Sequence, residues 1–339
     1  MQYRYIGKSG LRVSPICMGT MTFGTQTPDE KEAFRIMDKA YDAGVNFYDT
    51  AELYPVPPSG KLAGLTEEIV GKWLKSKPRD SIILASKVAG AANGWFVPPI
   101  RHRMTAMDSF HIERAIEGSL KRLGTDYIDL YQMHWPDTLI PIEETLKAFD
   151  RLVQSGKVRY LGTSNDTAYG TSKALITSDF KGLARFQSIQ NNFSLLNRRV
   201  LDELAVLCEK EEISLLPYSP LAGGVLSGKY NQVNNTQGRF VAYINSSDKR
   251  QRLMAERFAN DKALASVQKY LKIAKDAGLH PVTMAIAWSK QFSFVASTII
   301  GASTPEQLDA TLAAMDVELS KEVLKACDVV HQEILYPMG

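Results

Sequence analysis

Short apolar runs of strand length alternate with amphipathic segments of helix length along most of the chain, and this alternation restricts the fold more than any other feature. Runs at 16–18, 45–49, 82–87, 128–134, 158–164, 186–190, 214–218 and 297–300 read as strands. Helical segments are predicted over 29–43, 65–75, 108–123, 142–154, 169–178, 200–211, 264–277 and 305–315. In 108–123 the residues Ile112, Ile116, Leu120 and Leu123 share one face, and Leu264, Val267, Leu271 and Ala274 do so later. Eight strands, each followed by a helix, imply parallel strands joined by right-handed crossovers. The expected fold is therefore α/β, a (β/α)8 TIM barrel. A β-hairpin over 3–15, turning at Lys8-Ser9-Gly10, precedes it. The 339 residues suit one barrel domain over 1–339. Two long insertions, 89–107 and 221–263, follow strands and are expected over the C-terminal mouth. The first carries Trp95, Phe96, Arg101 and Arg103.

Barrels of this kind present reactive groups at the C-terminal ends of their strands. The second predicted strand ends in Asp49, with Tyr54 on the loop beyond it; the third ends in Lys87 and the fourth in His134. A free phenol ionises near pH 10, and a neighbouring ammonium would lower that value. Lys87 is placed to do so for Tyr54, Asp49 to hold the lysine charged, and His134 to orient a carbonyl through its ring N–H. Singly, each residue has a plain structural role open to it: a solvated charge, a rim aromatic, a packing imidazole. Together, on neighbouring strand ends, they form a set of groups able to hold and deliver a proton.

Several function classes are disfavoured. A net charge of +3 gives no argument for nucleic acid or a membrane surface, and no apolar run approaches the roughly 20 residues of a membrane span. Cys17, Cys208 and Cys327 form no CxxC pair and no cluster, so neither metal nor disulfide is expected. With no apolar leader after Met1, these reduced thiols suggest a cytoplasmic protein. A Rossmann GxGxxG is missing. Gly223-Gly224-Val225-Leu226-Ser227-Gly228-Lys229 matches a P-loop as far as the lysine, but Tyr230 stands where a magnesium-binding hydroxyl is needed.

Several stretches resemble one family in order along the chain. They are 46–54, Gly162-Thr163-Ser164-Asn165, Ile189-Gln190-Asn191, Tyr218-Ser219-Pro220-Leu221, Gly228-Lys229-Tyr230 and 300–308. The chain resembles the aldo-keto reductases, most closely the bacterial Tas-like branch, with similarity to potassium-channel β subunits. The resemblance implies a barrel that binds NADP(H) without a Rossmann fold and reduces a small-molecule carbonyl substrate. It carries a catalytic tetrad onto Asp49, Tyr54, Lys87 and His134. Ser164, Asn165 and Gln190 would meet the nicotinamide carboxamide and Tyr218 its ring. Ser219, Pro220, Leu221, Gly223 and Lys229 would line the pyrophosphate. Arg239, Gly301, Ser303 and Gln307 would surround the adenosine end, and Gly19, Thr20 and Met21 would complete the cofactor wall. Ala310 and Thr311 replace the family's usual Glu-Asn, which removes adenine contacts. A nucleotide-sensing regulatory module, like the channel subunits, is the alternative implied.

Overall fold

The computed structural model describes residues 2–92, 97–232 and 238–338. Strands β1 (Arg4–Tyr5) and β2 (Arg12–Val13) pair antiparallel as the predicted hairpin. Eight parallel strands follow: β3 (Ile16–Gly19), β4 (Phe47–Asp49), β5 (Ile83–Val88), β6 (Ile128–Met133), β7 (Val158–Ser164), β8 (Phe186–Gln190), β9 (Ser214–Leu215) and β10 (Thr298–Ile300). Their order is β10-β3-β4-β5-β6-β7-β8-β9. The ring closes through parallel bridges Leu215–Val295 and Tyr218–Ile299, with the Ile299 N–H donating to the Pro217 carbonyl at 2.8 Å.

Strand alternation sorts the side chains. Met18, Tyr48, Leu84, Tyr131, Leu161 and Ile189 pack outward into the layer shared with the helices. Cys17, Phe47, Ala85, Leu130, Leu216 and Ala296 pack inward. That inner cluster also takes Ile6, Leu11 and Val13 from the hairpin segment, which thereby stoppers the N-terminal end of the barrel. Hydrogen bonds fix the stopper: the Gly7 N–H donates to Ser214 Oγ at 2.8 Å and the Gly10 N–H to Tyr160 Oη at 3.0 Å. Two residues further along β4 and β5, the same inward parity carries Asp49 and Lys87. A polar layer therefore sits directly above an apolar one.

The helices start and stop where side chains satisfy their ends. Asp29 accepts from the Lys31 N–H to begin the helix Glu30–Asp42, and Asp108 from the His111 N–H to begin Ser109–Leu123. Gly124, at φ 64°, ends the latter in a left-handed cap. Several expectations need correction. The segment 305–315 is broken into a 3₁₀ turn, a short helix Leu308–Leu312 and a second 3₁₀ turn. Helix 200–211 begins only at Leu204. Strand 214–218 stops at Leu215, because Pro217 has no N–H for a ladder. The insertion 221–263 is not one loop: it contains the helices Arg239–Ile244 and Lys249–Phe258. Helices Pro281–Lys290 and Lys321–Glu333 were not predicted. All three cysteines are free and buried. Trp95 and Phe96 lie outside the described residues. No helix among the described residues is long and apolar enough to cross a membrane.

One glycine shows how closely the outer layer packs. Gly71, inside the helix Leu65–Leu74, would place an alanine Cβ 2.4 Å from the Arg122 carbonyl oxygen and 2.7 Å from that of Leu123. Glycine to alanine inside a helix ordinarily stabilises by about 1 kcal/mol. Here overpacking reverses the sign, and Gly71→Ala is expected to lower stability by about 1–3 kcal/mol, measured by denaturant unfolding.

Candidate active site

Three hydrogen bonds hold Lys87 at the top of the barrel. Its Nζ donates to Asp49 Oδ1 at 2.5 Å, to the Thr50 carbonyl at 2.7 Å and to Tyr54 Oη at 3.5 Å. An ammonium has three N–H donors, so all are used. Lys87 is 0% exposed and Asp49 2%, which makes this a buried ion pair whose remaining polar capacity is also met. Asp49 Oδ2 accepts from Gln190 Nε2 at 2.9 Å and from Gln132 Nε2 at 3.1 Å. Gln190 further donates to Gln132 Oε1 at 3.2 Å. Gly162 lies between these strands, where a Cβ would stand 2.6 Å from Ser188 Oγ and 3.1 Å from Gln132 Cγ. The missing side chain leaves room for the amides.

Tyr54 and His134 meet above this layer. Their rings stand edge to face with centroids 5.7 Å apart, and Lys87 Nζ lies 4.9 Å from the Tyr54 ring centroid. Burial, with a smaller push from Lys87, holds the His134 pKa well below the usual histidine value. The ring is therefore a neutral imidazole at pH 7, and its buried Nδ1 has no partner among the described residues. Burial alone would discharge Lys87, but Asp49 and Tyr54 outweigh it and raise its pKa. For Tyr54 the expected direction is reversed. Burial pushes the phenol above its ordinary value; Lys87 pulls it down and Asp49 pushes it up again. Desolvation, which the sequence does not display, decides that sign.

The remaining candidates fall into three groups. Gly19 packs so closely on β10 that a Cβ would stand 2.8 Å from the Ile300 carbonyl oxygen. Thr20 bonds the Asp49 carbonyl through both N–H and Oγ1, and the Met21 carbonyl accepts from the Val56 N–H. On the other side of the mouth, Ser164 Oγ donates to the Gln190 carbonyl at 2.8 Å. Asn165 Nδ2 donates to the His134 carbonyl at 2.9 Å, and Tyr218 Oη to Asn165 Oδ1 at 2.8 Å. Asn165 and Ser219 hold φ values of 54° and 53°, a region that non-glycine residues seldom occupy outside functional turns.

The third group is cationic. Ser219, Pro220 and Leu221 lead into a turn in which Gly223 and Gly224 have φ of 66° and 93°. A Cβ on Gly223 would meet Phe240 at 2.5 Å and Arg239 Nη2 at 2.8 Å, and one on Gly224 would meet Lys229 Nζ at 3.2 Å. The turn thus cradles two cations. Burial lowers Arg239, against Tyr243 and Tyr230; burial and the charge of Arg239 lower Lys229. Among the described residues neither has a carboxylate partner, and Arg239 Nε is buried without an acceptor. Gln307 Oε1 accepts from both the N–H and the hydroxyl of Ser303, which folds the stretch after Gly301 on itself. Thr311 is buried with its hydroxyl on the Gln307 carbonyl, and the Ala310 carbonyl accepts from Thr283 Oγ1.

The profile of the Aldo/keto reductase family matches residues 15–332. The chain belongs to that family. It is 38% identical to protein tas of Escherichia coli (strain K12), over 99% of each chain. It is also 38% identical to the uncharacterized oxidoreductase YrpG of Bacillus subtilis (strain 168), over 96% of this chain and 94% of that one. A protein named "probable voltage-gated potassium channel subunit beta" from Oryza sativa subsp. japonica is 32% identical over 98% and 97%.

Within this aldo/keto reductase, sequence reasoning missed three residues near the tetrad. Gln132 carried a usable signal: it lies two residues before His134, on the inward parity of its strand. Glu52, 5% exposed in the loop between Asp49 and Tyr54, carried none, since loops have no period, and Arg257, whose charge reaches Tyr218, lies in the helix Lys249–Phe258 that the sequence did not show. A prediction follows from the electrostatics. Ultraviolet difference titration of wild type against Tyr54→Phe should find the Tyr54 ionisation above pH ~10. In Lys87→Met it should move higher still. A wild-type ionisation below the ordinary phenol value would contradict the burial argument.

Proposed function

We propose that this oxidoreductase reduces aldehydes or ketones to alcohols with NADPH, using Tyr54 as proton donor and Lys87, Asp49 and His134 as its supports. The observation that carries the reading is the continuous chain Asp49–Lys87–Tyr54, with the His134 ring against the phenol. Bound NADPH would supply the hydride. The protein's own part is the proton and the positioning. Tyr54, neutral across the physiological range because its pKa is raised, offers its Oη–H to the carbonyl oxygen. Lys87 stays cationic and steadies the phenolate left behind. Asp49, bonded to two amides and the ammonium, keeps Lys87 charged. His134, neutral, can orient the carbonyl by an N–H without competing as a stronger acid. A complete set of four such groups favours catalysis over a purely regulatory use of the pocket.

The cofactor fits the residues present. Arg239 and Lys229, partly buried beside each other with no carboxylate partner among the described residues, suit a phosphate-bearing ligand. The Gly223–Gly224 turn is free of side chains where such a group would need to approach the backbone. Ser164, Asn165, Gln190 and Tyr218 ring the tetrad, where the nicotinamide would lie. Gly19, Thr20 and Met21 form the opposite wall, and Ser219, Pro220 and Leu221 continue toward the cations. Gly301, Ser303 and Gln307 would meet the adenosine, with fewer contacts than usual because Ala310 and Thr311 take the Glu-Asn positions. We read the whole chain as one such unit.

Two outcomes are expected. Tyr54→Phe keeps the ring and loses the proton donor, so kcat in an NADPH-oxidation assay over an aldehyde and ketone panel should fall at least about 100-fold, with cofactor affinity little changed. Near wild-type turnover would remove Tyr54 from the chemistry. Wild type should also bind NADPH about 10- to 100-fold tighter than NADH, the worth of one charge-assisted contact of about 1.5–3 kcal/mol to the 2′-phosphate. Fluorescence titration of Arg239→Ala should find most of that difference gone; a preference that survives would assign it to Lys229.

A further inference from the structure

Arg101 reaches down to a carboxylate that the proposed chemistry leaves unused. Glu52 lies in the loop after β4, between Asp49 and Tyr54, and is buried. Its Oε1 accepts the Ala89 N–H at 2.6 Å, and its Oε2 pairs with Arg101 Nη1. Arg101 Nη2 donates to the Ala89 carbonyl at 3.0 Å, and the Glu52 N–H donates to the Lys87 carbonyl at 3.3 Å. One carboxylate thus ties together the loop that bears Tyr54, the end of the strand that bears Lys87, and a side chain twelve residues further on.

At that point the backbone closes a tight turn, with the Arg103 N–H donating to the Ile100 carbonyl at 2.8 Å and the Met104 N–H to the Arg101 carbonyl at 3.0 Å. Arg101, His102 and Arg103 have φ of 45°, 55° and 66°, three left-handed residues in succession and none a glycine. Such backbone persists only where its surroundings determine it. Ile100 packs with Leu53, Ala89 and Trp135, the last being the neighbour of His134. The ends are tied separately: Trp135 Nε1 donates to the Ala91 carbonyl, and the Met107 N–H to Asp137 Oδ2. Arg101 is the ion-paired anchor between those ties. Beside it lie the buried Glu67, paired with the partly exposed Arg122, and the Tyr131 hydroxyl, which has no partner among the described residues, so each carboxylate of this cluster has its own arginine.

We propose that Glu52 and Arg101 are positioning residues, a buried clamp that holds the turn over residues 100–104 and the end of β5 against the Tyr54 loop and so sets the carbonyl pocket. The inference rests on the reductase reading for its kinetic arm only. The clamp sits on the loops after β4 and β5, away from the Lys229–Arg239 pair. It therefore acts on the carbonyl compound and not on the phosphate end of the cofactor.

The test compares Arg101→Met, Arg101→Lys and the double variant Glu52→Gln/Arg101→Met with wild type, by steady-state kinetics on a small and a bulky aromatic aldehyde and by limited trypsin digestion. In Arg101→Met, KM for the bulky aldehyde should rise about tenfold or more while kcat stays within about threefold and NADPH affinity is unchanged, the pattern of lost substrate positioning. Trypsin should cut after Arg103, already exposed, several-fold faster. Arg101→Lys should recover part of both, since one ammonium can reach only some of the acceptors of a fork. The single variant leaves Glu52 buried beside Glu67 without its counter-charge. The double variant neutralises it and should melt higher than Arg101→Met, so it keeps the test available if the single variant fails to fold. Unchanged KM and trypsin rate in Arg101→Met would overturn the proposal. So would parallel losses of kcat, KM, cofactor binding and melting temperature, the mark of a general scaffold pair. If wild type reduces no carbonyl compound with NADPH, the reductase reading fails, and the trypsin comparison alone decides the clamp.

Discussion

A single ammonium buried at the centre of a barrel governs how this molecule is arranged. An uncompensated charge at the depth of Lys87 would lose its proton rather than stay. Everything around it prevents that: a carboxylate on the next strand, a backbone carbonyl turned inward, a phenol across the mouth. The carboxylate in turn requires two amides on two more strands. Five side chains from the ends of four strands and the loop after β4 are thereby fixed by one electrostatic demand. Because those demands interlock, removing any member leaves another polar group unsatisfied in a low-dielectric interior.

The same demand explains why a polar layer sits on an apolar one. Inward positions lower in the barrel are Phe47, Ala85 and Leu130, two residues before Asp49, Lys87 and Gln132. The apolar layer keeps solvent from entering beneath the ion pair. The low dielectric that results makes the Asp49–Lys87 attraction strong and the Tyr54 phenol reluctant to ionise. The ion pair and the raised pKa of the phenol thus share one cause.

How much of this was legible in the sequence depended on the kind of signal. Compact runs bounded by glycine, serine or asparagine, such as Val158–Ser164 and Phe186–Gln190, and the strongly amphipathic Ile142–Gln154 match the structure residue for residue. The helix Pro281–Lys290 did not show, because Thr283 to Lys290 are all buried and a helix without a polar face has no period to detect. In the insertion, a mean composition dominated by charge hid Lys249–Phe258, which buries Ala255 and Phe258 and packs Met254 beside them. In the site, Asp49, Lys87 and His134 were readable because strand ends in a barrel are neighbours by topology. The direction in which the Tyr54 pKa moves was not, since it depends on how much solvent the finished fold removes.

The hairpin stopper has a consequence for traffic. With Ile6, Leu11 and Val13 filling the lower end, the barrel is a blind well. Beneath Lys87 and Asp49 the described inward residues Phe47, Ala85 and Leu130 are apolar, so the polar layer faces the C-terminal opening. If Tyr54 is the proton donor proposed above, its proton is replaced from that same opening. On that reading, exchange of protons with solvent and exchange of ligands share one doorway.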